Sequence, residues 1–199
     1  MIADDKAQLR QKLRAARLAL PPELRTQYAT QMLRHAADAP DWQGVTRIGS
    51  YCALRGEADP APLNAWLTAC GKEVYLPVTQ AARQLRFARW TGQSLRPGAF
   101  GIHEPELGEQ HLAAVELGLL IMPLLGFDRF GTRLGAGAGY YDRALAGCPA
   151  GSPQLLGLAY SFQQMDKLPV DAWDVPLGKV LTELGIVVCA ARRSASAAD

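Results

Sequence analysis

Apolar residues recur at Leu9, Leu13, Ala16 and Leu20, the three- and four-residue spacing of one helix face. This spacing predicts a helix over 4–20, capped by Asp4 or Asp5 and stopped by Pro21-Pro22. The prolines also open a second helix, to about Ala37, with Leu24, Tyr28 and Met32 along one side. Residues 45–53 (VTRIGSYCA) then read as a strand. The segment 55–60 turns into a helix with Pro60 in its first turn, and Gly71 ends it. Strands follow over 73–78, ending at Pro77, and over 84–90. Residues 91–108 are rich in Gly and Pro and read as one long loop, a feature often tied to function.

The apolar run 117–125 reads as a buried strand. Beyond it, 140–145 opens a helix, 155–161 is a strand, 162–167 a short helix or turn, and 170–178 a loop. Two further strands cover 180–184 and 185–190. The sequence therefore predicts one domain over 1–190 and a disordered tail over 191–199. Strands alternating with helices predict an α/β fold: a three-layer α/β/α sandwich on a largely parallel sheet, Rossmann-like. Ligands in such sheets bind at the carboxyl ends of strands. The loops after 45–53 and 117–125 are then the two walls of one site.

Composition narrows the function classes. A formal charge of +2 on 199 residues does not suggest a general nucleic-acid binder. Cys52, Cys70, Cys148 and Cys189 lie far apart, without a C-x-x-C, and read as buried free thiols in a reducing compartment. His35, His103 and His111 have no metal-ligand spacing. No apolar run could span a bilayer, and the first residues lack a signal-peptide core, so the expectation is a cytoplasmic protein. Lys6, Arg10, Arg14 and Arg17 share one helical face, which reads as a solvated basic face, or as one from which one or two cations reach an anionic ligand.

The richest stretch follows the 117–125 strand. Gly131, Gly135, Gly137 and Gly139 fall within nine residues, among Asp128, Arg129, Arg133, Asp142 and Arg143. Strand, glycine loop and helix start form an arrangement that binds anions, because glycines let backbone N–H groups approach a phosphate. The pattern is neither G-x-x-x-x-G-K-[ST] nor G-x-G-x-x-G, and the loop holds no Lys. It reads as a phosphate loop that takes its charge from arginines, or as a flexible surface loop.

Met122-Pro123-Leu124-Leu125-Gly126-Phe127-Asp128, Gly131 and then Arg133-Leu134-Gly135-x-Gly137-x-Gly139-Tyr140-Tyr141-Asp142 resemble the signature of 5-formyltetrahydrofolate cyclo-ligases. Lys6-x-x-x-Arg10, 51–57, Gly101-Ile102-x-Glu104-Pro105, Leu158-Ala159-Tyr160 and Asp174 ahead of Val180-Leu181-Thr182-Glu183 extend the resemblance over about 6–188. The resemblance implies conversion of 5-formyltetrahydrofolate to 5,10-methenyltetrahydrofolate with ATP and magnesium, releasing ADP and phosphate. In that chemistry the formyl oxygen is phosphorylated, N10 attacks the activated carbon, and phosphate leaves.

The resemblance also implies roles. Lys6, Arg10 and the loop Arg133, Leu134, Gly135, Ala136, Gly137, Ala138, Gly139, Tyr140 and Tyr141 look like the ATP site, with Arg133 and Tyr140 catalytic. Cys52, Glu57, Phe100, Gly137, Gly139, Tyr140 and Tyr141 look like the folate site, and Asp142 and Asp174 like magnesium ligands. Arg14 and Arg17 keep the solvated reading. Ala136 and Ala138 stand where the family often carries Tyr, Arg, Gly or Lys, and Gly178 where Asp is common. The expected partners are a reduced folate and ATP, without nucleic acid or membrane, in a monomer. A non-catalytic folate- or nucleotide-binding relative is the alternative. Such a relative should have lost one of Arg133, Asp142, Asp174 or Glu57.

Overall fold

The computed structural model describes residues 2–39, 42–98, 101–106, 108, 111–171 and 173–190. Phe100 and the 191–199 tail lie outside the described residues. Two helices lead, α1 (Ile2–Ala19) and α2 (Pro22–Ala37). Then come β1 (Arg47–Gly49), α3 (Ala61–Ala69), β2 (Glu73–Thr79) and β3 (Leu85–Trp90). The 91–108 segment, expected to be all loop, contains a short ladder of β4 (Arg96–Pro97) and β5 (His103–Glu104). β6 (His111–Leu112) precedes β7 (Leu119–Pro123), β8 (Gly126–Asp128), β9 (Arg133–Leu134) and α4 (Tyr140–Leu145). The last elements are β10 (Gln154–Leu158), β11 (Gln164–Met165), β12 (Lys179–Thr182) and β13 (Gly185–Val188).

The main sheet has eight strands in the order β13-β12-β10-β7-β1-β2-β3-β6. Its centre, β12-β10-β7-β1-β2, is parallel throughout. β13, β3 and β6 add antiparallel edges. The α/β sandwich is therefore present, with a mixed sheet. The chain places β2 on one side of β1 and β7 on the other, so direction reverses between β1 and β7. A crevice opens at such a reversal, outside the carboxyl ends of the strands.

β7 shows why the strand reads as an unbroken apolar run. Leu119 and Ile121 face a core with Met32 and Ala36 of α2 and Leu63 and Leu67 of α3. Leu120 and Met122 face the opposite core, with Phe87, Phe127 and Leu145 of α4. Period-two alternation is hidden when both faces are dry. β2 runs past Pro77, which pairs with Phe87. β1 stays beside β2 only as far as Tyr75, so Pro77 sits where one flank of β2 has no strand, and its missing N–H costs no ladder bond.

A second, small sheet in the order β11-β8-β9 carries the turn that begins the glycine loop. Two- and three-residue strands are too short for any periodic signal, and the sequence did not announce β8, β9 or β11. Asp128, fully buried, closes this turn. Its carboxylate accepts the N–H groups of Phe130 and Thr132 at 2.9 and 3.0 Å and that of Leu168 at 3.0 Å. Gly131 adopts φ +78°, and a Cβ there would lie 2.2 Å from the carbonyl oxygen of Leu177. Gly131→Ala should therefore destabilise the fold by roughly 2–4 kcal/mol, adding left-handed strain to a backbone collision. Urea unfolding measures this; an unchanged midpoint would mean the 175–178 loop yields freely.

Candidate active site

The crevice is bridged by α1. The face of α1 that turns inward carries Lys6, Arg10, Leu13 and Arg17, at spacings of four, three and four residues. Lys6 is 8% exposed and Arg17 4%, while Arg10 and Arg14 are half-buried. The solvated reading of Arg17 is corrected. Counting only apolar positions as inward missed a helix docked largely through cations. Leu13 is the buried apolar side chain among the described residues of that face, and the backbone at Gly126 comes so close that a Cβ would sit 2.8 Å from Leu13 Cδ1. The helix also starts ahead of Asp4 and Asp5, which lie inside its first turns instead of capping it.

Each inward cation reaches a different loop. Lys6 Nζ donates to Asp171 Oδ2 at 2.7 Å and to Asp174 Oδ2 at 3.3 Å. The Asp171 N–H donates to the same Asp174 oxygen at 2.9 Å. Arg10 Nε donates to the Gly135 carbonyl at 3.0 Å, and its guanidinium lies beneath Gly137. Arg17 Nη1 and Nη2 donate at 3.3 Å to the carbonyls of Leu124 and Arg55. Of the candidate residues, Lys6 is thus joined to Asp174 and Arg10 to the glycine loop, both from one face of α1. Asp171 is an additional member, unsignalled in a sequence where it reads as one more loop acid.

In the glycine loop, Arg133 Nη2 donates to Asp142 Oδ1 at 2.5 Å. The Arg133 guanidinium also lies 5.8 Å from the Tyr141 ring centre, and its Nε is buried without a hydrogen-bond partner. Arg143 donates to the Ala138 carbonyl and lies over the Tyr140 ring. Gly137, at φ +102°, turns the loop in a region closed to most side chains. α4 has six residues, so its dipole is small and the positive charge at this loop comes from the arginines.

The other wall follows β1. Glu57 Oε2 accepts the Leu54 N–H at 3.0 Å, and Oε1 lies 3.6 Å from Arg17 Nη1. Burial pushes the Glu57 carboxyl above its usual range, while Arg17 and the Leu54 N–H pull it back. The Cys52 thiol is pushed up to about 11 by burial, then by Asp59 and Glu104, and stays neutral. Tyr141, from the opposite wall, is raised by burial, then by Glu57, against Arg133. Glu57, Cys52, Tyr141 and Arg133 therefore share one electrostatic neighbourhood, with a carboxylate at one end and a cationic loop at the other.

The cysteines are free, as expected, but they are not all buried. Cys70 follows the last turn of α3 and is exposed, and the other three are partly covered. Among the described residues no cluster of three or more metal-ligating side chains occurs, and no helix is long and apolar enough to cross a membrane.

Comparison with known proteins identifies the family. The sequence model of the 5-formyltetrahydrofolate cyclo-ligase family matches residues 2–183. The Escherichia coli K12 5-formyltetrahydrofolate cyclo-ligase is 36% identical over 174 residues, covering 85% of this chain and 96% of its own length. The Haemophilus influenzae protein of the same name is 34% identical, covering 91% and 99%. The NMR structure of Aquifex aeolicus 5,10-methenyltetrahydrofolate synthetase superposes with a TM-score of 0.81 at 32% identity, over 95% of both chains. With the strand order reversing between the paired strands β1 and β7, and the match running from α1 to the end of β12, the chain belongs to the 5-formyltetrahydrofolate cyclo-ligase family.

Proposed function

We propose that this chain converts 5-formyltetrahydrofolate to 5,10-methenyltetrahydrofolate, with ATP and Mg²⁺, releasing ADP and phosphate. The observation that carries this reading is the meeting of two unlike walls at one sheet reversal. Arg10, Arg133 and the glycine loop stand on one side, and Cys52 and Glu57 on the other. ATP supplies the phosphoryl group that makes the formyl oxygen a leaving group, and N10 then closes the ring. Amide oxygen leaves poorly, so alignment and charge neutralisation are the protein's main tasks.

The donor set fits the groups this reaction needs. Arg133 keeps a buried Nε without a partner beside a glycine loop, which suits a phosphate oxygen. Lys6 and Arg10 add charge from α1. Asp142 and Asp174 would hold Mg²⁺, whose usual ligands are one or two carboxylates with phosphate and water oxygens. Arg133 and Tyr140 would meet the reacting groups. Glu57 would accept the paired N–H donors of the pterin ring, and Cys52, Gly137, Gly139 and Tyr141 would border it. The test is direct. Purified protein, 5-formyltetrahydrofolate and Mg-ATP should give methenyl absorbance, and each omission should abolish it. Folate and ATP binding without turnover would instead establish a non-catalytic relative.

Glu57→Gln separates the two ligands. It keeps the size but sets an N–H against an N–H, a mismatch of about 1–3 kcal/mol. Folate affinity should fall roughly tenfold or more, with ATP affinity within about twofold, because distant contacts act independently. Calorimetric titration of each ligand measures both. Equal weakening would mean that Glu57 only shapes its loop.

A further inference from the structure

We propose that Arg17, through its contacts with Glu57 and with the 54–57 turn, is the positioning residue for folate recognition. The inference rests on the reading of Glu57 given above and goes beyond it. Three independent observations support it. First, Arg17 is 4% exposed although nothing requires a guanidinium at that depth of α1. A buried cation is costly unless it is paired and hydrogen-bonded. Burial does lower its proton affinity, and Glu57 is the leading group that opposes this.

Second, its contacts join three segments. Nη1 holds the Leu124 carbonyl at the end of β7, Nη2 holds the Arg55 carbonyl, and Nη1 faces Glu57 Oε1. One planar fork thus spans both walls of the crevice. Lys has a single ammonium and cannot reproduce that geometry.

Third, the segment it grips is strained. Arg55 and Gly56 are consecutive left-handed residues, at φ +47° and +74°. A non-glycine residue in that region persists only where its surroundings hold it. The Arg55 carbonyl that Arg17 holds belongs to that residue. This turn hands the chain on to Glu57, whose N–H donates to the Leu54 carbonyl at 2.9 Å.

The groups facing Glu57 come from each element packed on it. Arg17 comes from α1, Arg55 and the Leu54 N–H from its own turn, Tyr51 from the end of β1, and Tyr141 from α4. Tyr160, beyond β10, donates its hydroxyl to the Glu57 carbonyl at 3.2 Å. Among these, Arg17 is the buried cation that opposes the upward pull of burial on the carboxyl. Without it, Glu57 should take up a proton at higher pH. Its acceptor pairing with the pterin should then fail progressively as pH falls.

The experiment uses the full chain as Arg17→Gln, Arg17→Lys, Glu57→Gln and the Arg17→Gln/Glu57→Gln double variant. The Glu57 carboxyl is titrated by ¹³C NMR, and calorimetry reads 5-formyltetrahydrofolate and Mg-ATP affinities between pH 5.5 and 8.5. Arg17→Gln should raise the Glu57 titration midpoint by at least one pH unit and weaken folate at least tenfold, more at low pH. Mg-ATP should stay within twofold. Arg17→Lys, which keeps the charge, should restore most of the midpoint but only part of the folate affinity. In the Glu57→Gln background, Arg17→Gln should add less than twofold. An unmoved Glu57 midpoint, additive losses in the double variant, or equal weakening of both ligands would each overturn the proposal. Should Glu57→Gln itself leave folate affinity intact, the pterin-reading assignment fails and takes the proposal with it. Failure of Arg17 alone leaves the Glu57 reading standing.

Discussion

Arg133→Ala should lower turnover on the order of a hundredfold, as expected when a charge-assisted pair worth about 1.5–3 kcal/mol is lost from a site that works by charge neutralisation. The side chain is nearly buried, ion-paired at 2.5 Å to Asp142, and still has one guanidinium nitrogen without a partner. Such an orphan donor beside a glycine loop is what an incoming phosphate oxygen would satisfy. Removing Arg133 also frees Asp142 from its ion pair, so the loop gains net negative charge at the place proposed above for the polyphosphate. ATP affinity should therefore fall along with turnover. Arg133→Lys restores charge but not the fork, and should recover only part of the loss. Initial-rate kinetics over ATP concentration check this. Unchanged ATP kinetics in Arg133→Ala would remove the residue from the phosphate site.

Asp142→Asn should have an effect of similar size with the opposite electrostatic sign. Its side chain is 29% exposed and sits in the first turn of a short helix, so the fold should survive. Turnover at fixed Mg²⁺ should drop on the order of a hundredfold, at the upper end of the loss produced when even a metal's outer partners are removed. Metal-free ATP should bind at least as well as in the wild type, because Arg133 no longer has a full negative charge beside it. Turnover should recover in part as Mg²⁺ is raised. Calorimetry with and without Mg²⁺, together with a magnesium titration of the rate, separates these effects. Near-normal turnover at ordinary magnesium would take Asp142 out of the metal role.

The parts of this molecule that were legible from sequence are those with a local cause. The glycine loop stands out because four glycines among arginines follow a buried strand, and the structure places Arg10, Arg133 and Asp142 around it. The central strands were legible as apolar runs. What escaped depended on partners far away in the chain. Arg17 looked solvated because its three contacts lie 38 or more residues on. Asp171 looked like an ordinary loop acid because its cation is 165 residues earlier. Asp128 fell among the loop's charges, whereas its carboxylate is consumed by backbone N–H groups that close the turn. No periodicity could report β8 or β9, since both are shorter than the window in which a period is counted.

The cationic inner face of α1 has a consequence for how the molecule opens. Most helices are held by apolar area, which resists undocking whatever the ligand state. Among its described side chains, α1 is held by polar contacts from Lys6, Arg10 and Arg17, with Leu13 as the buried apolar anchor and Leu9 packed beside it. Elements with little buried apolar contact occupy the low end of a protein's range of local unfolding free energies. A ligand that binds only the docked form raises that energy through mass action. With Lys6 and Arg10 on the nucleotide, as proposed above, amide exchange across α1 should slow when Mg-ATP is bound, and the backbone at Asp171 and Asp174, which Lys6 ties to the helix, should be protected with it.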